Sequence, residues 1–333
     1  MLTRALFVSF LLLTPLLEEM VIRGQDRYRI GSETVEKLGY MGEVTYAQKP
    51  PIDMLFVGPS GIMSTIVTRD ISQELSISAI NFGHFETGSD GDYFLVKNLL
   101  ENRGVKILFI GLSPLETEIP HRISRALWRP LEESDLPLEI FGSHYADKLL
   151  YSLPAIVKSR YFKVDEKAIF DLEWVNGVHL AHRAFSEDRE TMNEKDPMPQ
   201  VELRPLKLHL KDILLERNGP EIYHMGVYDE RQDYFFQRLV DLARERGVKV
   251  YFLHYPTIRV GIIDKIPVYK FLIDPAPEIP YLGVVPTRLF GTDSREKMKA
   301  YFYNDLHTNV NGSVLFTASI LPALKEIYEM SNQ

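Results

Sequence analysis

DMLFVGPSGI, residues 53–62, is a short apolar run that breaks at Gly58, Pro59, Ser60 and Gly61. A run of this length closed by glycine is the signature of a buried strand. The next residues, SGIMSTIVTRDISQEL, have helical character, and SISAINFG is a second strand candidate closed by Gly83. DYFLVKNLLENRGVKILFIGLSP then reads as helix, stop at Gly104, strand and turn, with Phe94, Leu95, Leu99 and Leu100 at helical spacing. The phrase returns in RQDYFFQRLVDLARERGVKVYFLHYPT, where Phe235, Phe236, Leu239, Val240 and Ala243 form the apolar stripe and Gly247 the stop. Strands alternating with helices, the strands apolar on both sides, predict an α/β fold with a mainly parallel sheet covered on both faces. Such sheets bind ligands at the carboxyl ends of their strands. Ser60, Gly83, Ser113 and His254 belong to that edge.

The chain of 333 residues suits one large α/β domain with an insertion, or two small ones. Its net charge of -8, with lysines and arginines dispersed, argues against nucleic acid as a partner. There is no cysteine, so disulfides and thiolate metal sites are excluded. The N-terminal stretch has one arginine and then thirteen uncharged residues, Ala5 to Leu17. A span needs about 20, and the run matches the apolar part of an export signal. No small-residue cleavage site follows, so residues 1–23 read as a signal sequence retained as a membrane anchor, or else as a buried N-terminal helix. Residues 24–50 read as a polar lead-in. Between about 115 and 222 the strand–helix pattern breaks, and this stretch reads as an insertion lying over the active edge as a lid or substrate platform. IPYLGVV is a candidate last strand. The final helix carries Val314, Ala318, Leu321, Leu324 and Tyr328 on one face, which leaves Asp305 and His307 in the loop before it.

A serine hydroxyl becomes a nucleophile when a base takes its proton and a third group orients that base. Ser60 is the candidate nucleophile, His307 the base. Asp305 is the orienting group, because residues two apart on extended backbone point the same way. The N–H groups of Ser60, at a helix start, and Gly83, on the neighbouring strand end, are candidate oxyanion donors. The bland alternatives are a helix cap at Ser60, a turn former at Asp305 and a surface histidine at 307. His84, His254 and Ser113 are pocket candidates. His179 and His182 lie at helical spacing without an acidic partner nearby in sequence, so no metal site is expected. Asn81 is read as organising the strand-end loop, with no chemical role.

DMLFVGPSGI, INFG and YNDLHTNVNGSVLFTASIL resemble the first, second and last blocks of the SGNH hydrolase superfamily. The likeness is greatest to its membrane-anchored branch, which includes the alginate O-acetylation proteins and the D-alanyl transfer protein of teichoic acid synthesis. The resemblance covers about half the chain and not residues 115–222. It implies a three-layer doubly wound, flavodoxin-like sheet over residues 51–333. It also implies a Ser60–His307–Asp305 triad and an exported, membrane-anchored serine esterase or O-acyltransferase on the periplasmic side. Acetyl is the implied group, a cell-envelope polysaccharide or acyl donor the implied partner, and a membrane acyltransferase a further one; no cofactor is required. Two departures stand out: Pro59 replaces the residue usually found between Gly and Ser, and the third strand ends in FIGLSP, with Gly111 and Ser113 but no Asn. They leave open a catalytically inactive SGNH-like binding module in an envelope polysaccharide complex. A nucleotide-binding role has no support, because no G-x-G-x-x-G or P-loop follows the first strand.

Overall fold

The apolar runs bordered by glycine become strands of one parallel sheet. The computed structural model describes residues 44–45, 49–84, 88–112, 201–216, 219–225, 230–258, 263–269 and 278–332. The N-terminal segment 1–23, nearly all of the lead-in, Ser113 and the stretch from 114 to 200 lie outside these. No helix among the described residues is long and apolar enough to cross a membrane.

In chain order the elements are β1 (Ile52–Val57), α1 (Ser60–Thr65), α2 (Thr68–Leu75), β2 (Ala79–Asn81), α3 (Ser89–Asn102) and β3 (Val105–Leu112). Then come α4 (Leu210–Ile213), β4 (Ile222–Met225), α5 (Glu230–Glu245), β5 (Lys249–His254), β6 (Ile266–Tyr269) and β7 (Tyr281–Leu282). The chain closes with α6 (Pro286–Phe290), α7 (Arg295–Met298), a 3-10 turn (Lys299–Tyr301) and α8 (Val310–Ser331). The five-stranded sheet has the order β2-β1-β3-β5-β7, every pair parallel. Chain order therefore reverses direction between β1 and β3. β4 and β6 form a separate parallel pair.

Successive strand residues point to opposite faces. Leu55, Val57, Leu108, Ile110 and Phe252 pack with Phe94, Leu99, Phe235 and Leu239 of α3 and α5. Met54, Phe56, Ile107, Phe109 and Leu253 pack on the other face with Ile62, Ile71, Phe316 and Ile320 of α1, α2 and α8. Phe56 and Phe109 stack across β1 and β3 at 4.6 Å between centroids. Burying one such side chain contributes about 1.5–3 kcal/mol, against about 0–1 for an exposed ion pair, so the two apolar layers hold the sheet.

The buried stripe of α8 is Leu315, Phe316, Ser319, Ile320, Ala323, Leu324 and Ile327. It is rotated from the expected face of Val314, Ala318, Leu321, Leu324 and Tyr328. Small buried Ser319 and Ala323 belong to the stripe because another chain segment approaches there. Pro322 has no N–H to continue the helix ladder. Leu208 places its backbone beside it, donating N–H to the Ser319 carbonyl at 2.7 Å and accepting from the Ala323 N–H at 3.1 Å. Leu214 bridges antiparallel to Leu282 of β7. The described end of the stretch read as a lid thus packs on α8 and the outer sheet edge. Its backbone groups find their partners there.

Candidate active site

At the end of β1 the chain must leave the sheet and start a helix within two residues. Gly58 allows this with φ +137, a conformation that side-chain-bearing residues rarely adopt. Its N–H donates to the buried carboxyl of Asp92 in α3, whose pKa is pushed well up by burial and by neighbouring Asp90. Pro59 occupies the N-cap position with extended backbone and no side-chain cap. Ser60 is therefore the first residue of α1 and not its cap. Its hydroxyl is left for another partner, and its N–H and that of Gly61 are first-turn donors that no carbonyl of α1 can reach.

That partner arrives from the far end of the chain. Phe302 bridges antiparallel to Thr308, and the Tyr303 N–H donates to the His307 carbonyl at 2.8 Å, so residues 303–307 form a tight turn. Asn309 closes it by capping α8, its Oδ1 accepting from the Gly312 N–H at 3.1 Å. The turn projects His307 so that Nε2 lies 2.7 Å from Ser60 Oγ, across 247 residues of sequence. Both side chains are half-buried.

The orientation of the imidazole comes from Asn304. Its Oδ1 accepts the backbone N–H of Leu306 at 2.9 Å and of His307 at 3.0 Å, and lies 3.0 Å from His307 Nδ1. Two backbone donors identify this atom as the amide oxygen, which only accepts. Nδ1 must then carry the proton and Nε2 must be the acceptor, so the Ser60 hydroxyl donates to Nε2. This is the tautomer that can take a proton from serine. Burial holds the imidazole below the ordinary histidine pKa, so the ring is neutral at pH 7.

Asp305, expected on the ring, is elsewhere. Its Oδ2 pairs with Arg295 Nη2 at 2.6 Å, and its carbonyl accepts from the Ile258 N–H and the Thr257 hydroxyl, each at 2.9 Å. The turn brings residue 304, three before His307, to the ring; the two-apart rule holds only for extended backbone. Gly83 also differs from expectation. Its N–H donates to Asn81 Oδ1 at 2.7 Å, which removes it as an oxyanion donor. It is glycine because α1 passes directly over it, and a Cβ there would lie 2.4 Å from the Met63 nitrogen. Asn81 is the organiser the sequence suggested. Its Nδ2 donates to the Ile62 and Ile66 carbonyls at 3.1 Å each, fastening α1 to β2.

His84 and His254 are fully buried, so neither lines an open surface. His84 continues the β2 alignment, its N–H bonding the Gly58 carbonyl at 2.9 Å. Strand alternation puts His254 on the α3/α5 face, opposite α1. Burial pushes its pKa down to about 3, and among the described residues neither ring nitrogen has a hydrogen-bond partner. Ser113 lies outside the described residues. Among the described residues no three His, Asp or Glu side chains cluster as a metal site.

The geometry is that of a serine–histidine–asparagine relay. Ser–His–Asp and Cys–His–Asn constellations do nucleophilic acyl chemistry on unrelated folds. Neither protein-family models nor curated proteins match this sequence.

Proposed function

We propose that the protein is a serine esterase or O-acyltransferase in which Ser60 is the nucleophile, His307 the base and Asn304 the orienting group. The observation that carries this reading is the 2.7 Å contact between Ser60 Oγ and an unprotonated His307 Nε2. Ser60 Oγ attacks the acyl carbonyl while its proton passes to Nε2. The tetrahedral oxyanion meets the first-turn N–H groups of α1. Nε2–H then protonates the departing oxygen, the ester C–O bond breaks, and the acyl group is left on Ser60. Water or a carbohydrate hydroxyl, deprotonated by Nε2, releases it.

The strand order and the helices on both faces support a doubly wound, SGNH-like arrangement. With the likeness of the first, second and last blocks, they point to a membrane-anchored envelope protein that moves acetyl on or off a polysaccharide, with a membrane acyltransferase as a supplier of acyl groups. One observation favours a second reading, a catalytically silent glycan-binding module: the Gly83 N–H is spent on Asn81, leaving fewer oxyanion donors. A fluorophosphonate probe separates the two. The enzyme reading expects a covalent adduct on Ser60 of the folded protein, absent in Ser60→Ala and slowed in His307→Ala. Folded protein without an adduct, yet binding glycan equally well as Ser60→Ala, would favour the silent module.

A further inference from the structure

Two side chains 247 residues apart meet at 2.7 Å, and the sheet alone does not set so short a distance. α1 has only six residues, so its last carbonyls have no partner further along the helix. Those of Ser64 and Thr65 are satisfied from the other end of the chain. The Thr308 hydroxyl donates to the Ser64 carbonyl at 3.0 Å, and the Thr317 hydroxyl to the Thr65 carbonyl at 3.2 Å. The Val67 N–H in turn donates to Thr317 Oγ1 at 3.0 Å. Thr308 Oγ1 also lies 3.1 Å from Thr65 Oγ1. A hydroxyl has one proton, and that of Thr308 goes to Ser64, so Thr65 is the donor in this second contact. All four side chains, Ser64, Thr65, Thr308 and Thr317, are buried.

Thr308 follows His307 directly, and Ser64 follows Ser60 by four residues, about 6 Å along the helix axis. The Ser60–His307 and Ser64–Thr308 contacts are therefore two links, side by side, between the same helix and the same turn. One link leaves the turn free to pivot; two fix both distance and direction. We propose that the Thr308 hydroxyl, supported by Thr65, is a positioning residue that sets the His307 ring against the Ser60 hydroxyl. This rests on the reading of Ser60 and His307 as the reacting pair. The other ties on this turn, Thr257 and Ile258 to the Asp305 carbonyl and Arg295 of α7 to the Asp305 carboxylate, do not touch α1.

Thr308→Val keeps the shape and removes the hydroxyl; Thr308→Ser keeps the hydroxyl and loses a methyl. A misplacement of about 1 Å costs about 10²-fold in rate. Thr308→Val is expected to lower the rate of fluorophosphonate labelling at Ser60 about 10- to 100-fold, while Thr308→Ser keeps most of it. The second readout needs no activity. The His307 ring, titrated by NMR, should move up toward the ordinary histidine value in Thr308→Val as water reaches it, and stay low in Thr308→Ser. Wild-type labelling and an unmoved His307 titration in Thr308→Val would overturn the proposal, as would a serine variant as impaired as the valine one. If wild-type protein takes no label, the enzyme reading fails, and the His307 titration still decides whether Thr308 positions the ring. Should Thr308→Val not fold, Thr65→Val loses only the donor to Thr308; a smaller change in the same direction supports the proposal, and no change in either readout sinks it.

Discussion

Asn304→Asp is the perturbation that probes the relay most directly. In a serine triad an Asp-to-Asn change is damaging when the amide NH2 faces Nδ1 and imposes the wrong tautomer. Here the oxygen faces Nδ1, because the N–H groups of Leu306 and His307 hold it there. What asparagine lacks is therefore the charge and not the geometry. A carboxylate in its place accepts the same two backbone bonds and adds a negative charge beside the ring, whose present contact is 3.0 Å. Two unit charges about 4 Å apart interact by about 1 kcal/mol in water and about 4 at an effective dielectric of about 20. Residue 304 is exposed, which pulls the value toward the lower limit, to about 1–2 kcal/mol, or about one pKa unit on His307.

The sign follows from which form gains. A carboxylate stabilises the imidazolium, so the His307 pKa rises from its burial-lowered value, and the base is lost at higher pH than in the wild type. The acid limb of the pH–rate profile, followed by fluorophosphonate labelling or aryl acetate hydrolysis, should move up by about one pH unit. Above that limb the rate should rise, by less than about tenfold, because only part of the proton has transferred in the transition state. Asp305→Asn is the matched control, since that carboxylate faces Arg295; its limb should shift far less, and downward. An unmoved or lowered limb in Asn304→Asp, or a larger effect from Asp305→Asn, would refute the assignment of Asn304 to the ring.

Two further outcomes follow from the same geometry. His254 titrates at about 3 when folded against 6.5 ordinarily; the unfolded chain takes the extra proton, so the stability is whole above about 6.5 and falls as pH drops toward 3, by about 2 kcal/mol near pH 5. His254→Leu should remove most of this acid loss in urea unfolding compared at about pH 8 and pH 5, and an unchanged loss would clear His254 of it. On the enzyme reading, a base without a carboxylate behind it activates bulk water poorly, whereas a bound sugar hydroxyl gains from being held in place. An aryl acetate without acceptor should then give a burst of aryl product and an acyl group persisting on Ser60; steady hydrolysis with no burst counts against transfer.

The sheet was legible because its strands are apolar on both faces and bordered by glycine, with Gly58 and Gly83 past the ends of β1 and β2 and Gly104 and Gly247 ahead of β3 and β5. Gly104 and Gly247, read as stops, have φ +84 and +68 and close α3 and α5. The stripe Phe235, Phe236, Leu239, Val240 and Ala243 is buried throughout. That Ser60 and His307 could meet was legible from chain order, since a parallel sheet can bring the loop after its first strand near the loop before its last helix. The face of α8 was not legible, because the segment that packs against Ser319 and Ala323 lies more than a hundred residues earlier.

The two misplaced site roles share one cause. Asn81 takes the N–H of Gly83, and Asn304 takes the N–H of Leu306, in each case two residues on. Asparagine oxygen does this readily, closing a turn on its own backbone. In INFG that bond consumes the N–H assigned to the oxyanion. In YNDLH it curls the chain, so that the residue three back reaches the ring while Asp305 is turned toward Arg295. The signal was present in both stretches as an asparagine with a free amide partner two positions ahead. Reading the acidic residue as the orienting group gave its charge precedence over the turn that decides where charge can point. At this site local backbone geometry outranks residue type: a neutral oxygen held by two N–H groups sets the tautomer, and the nearby carboxylate does not.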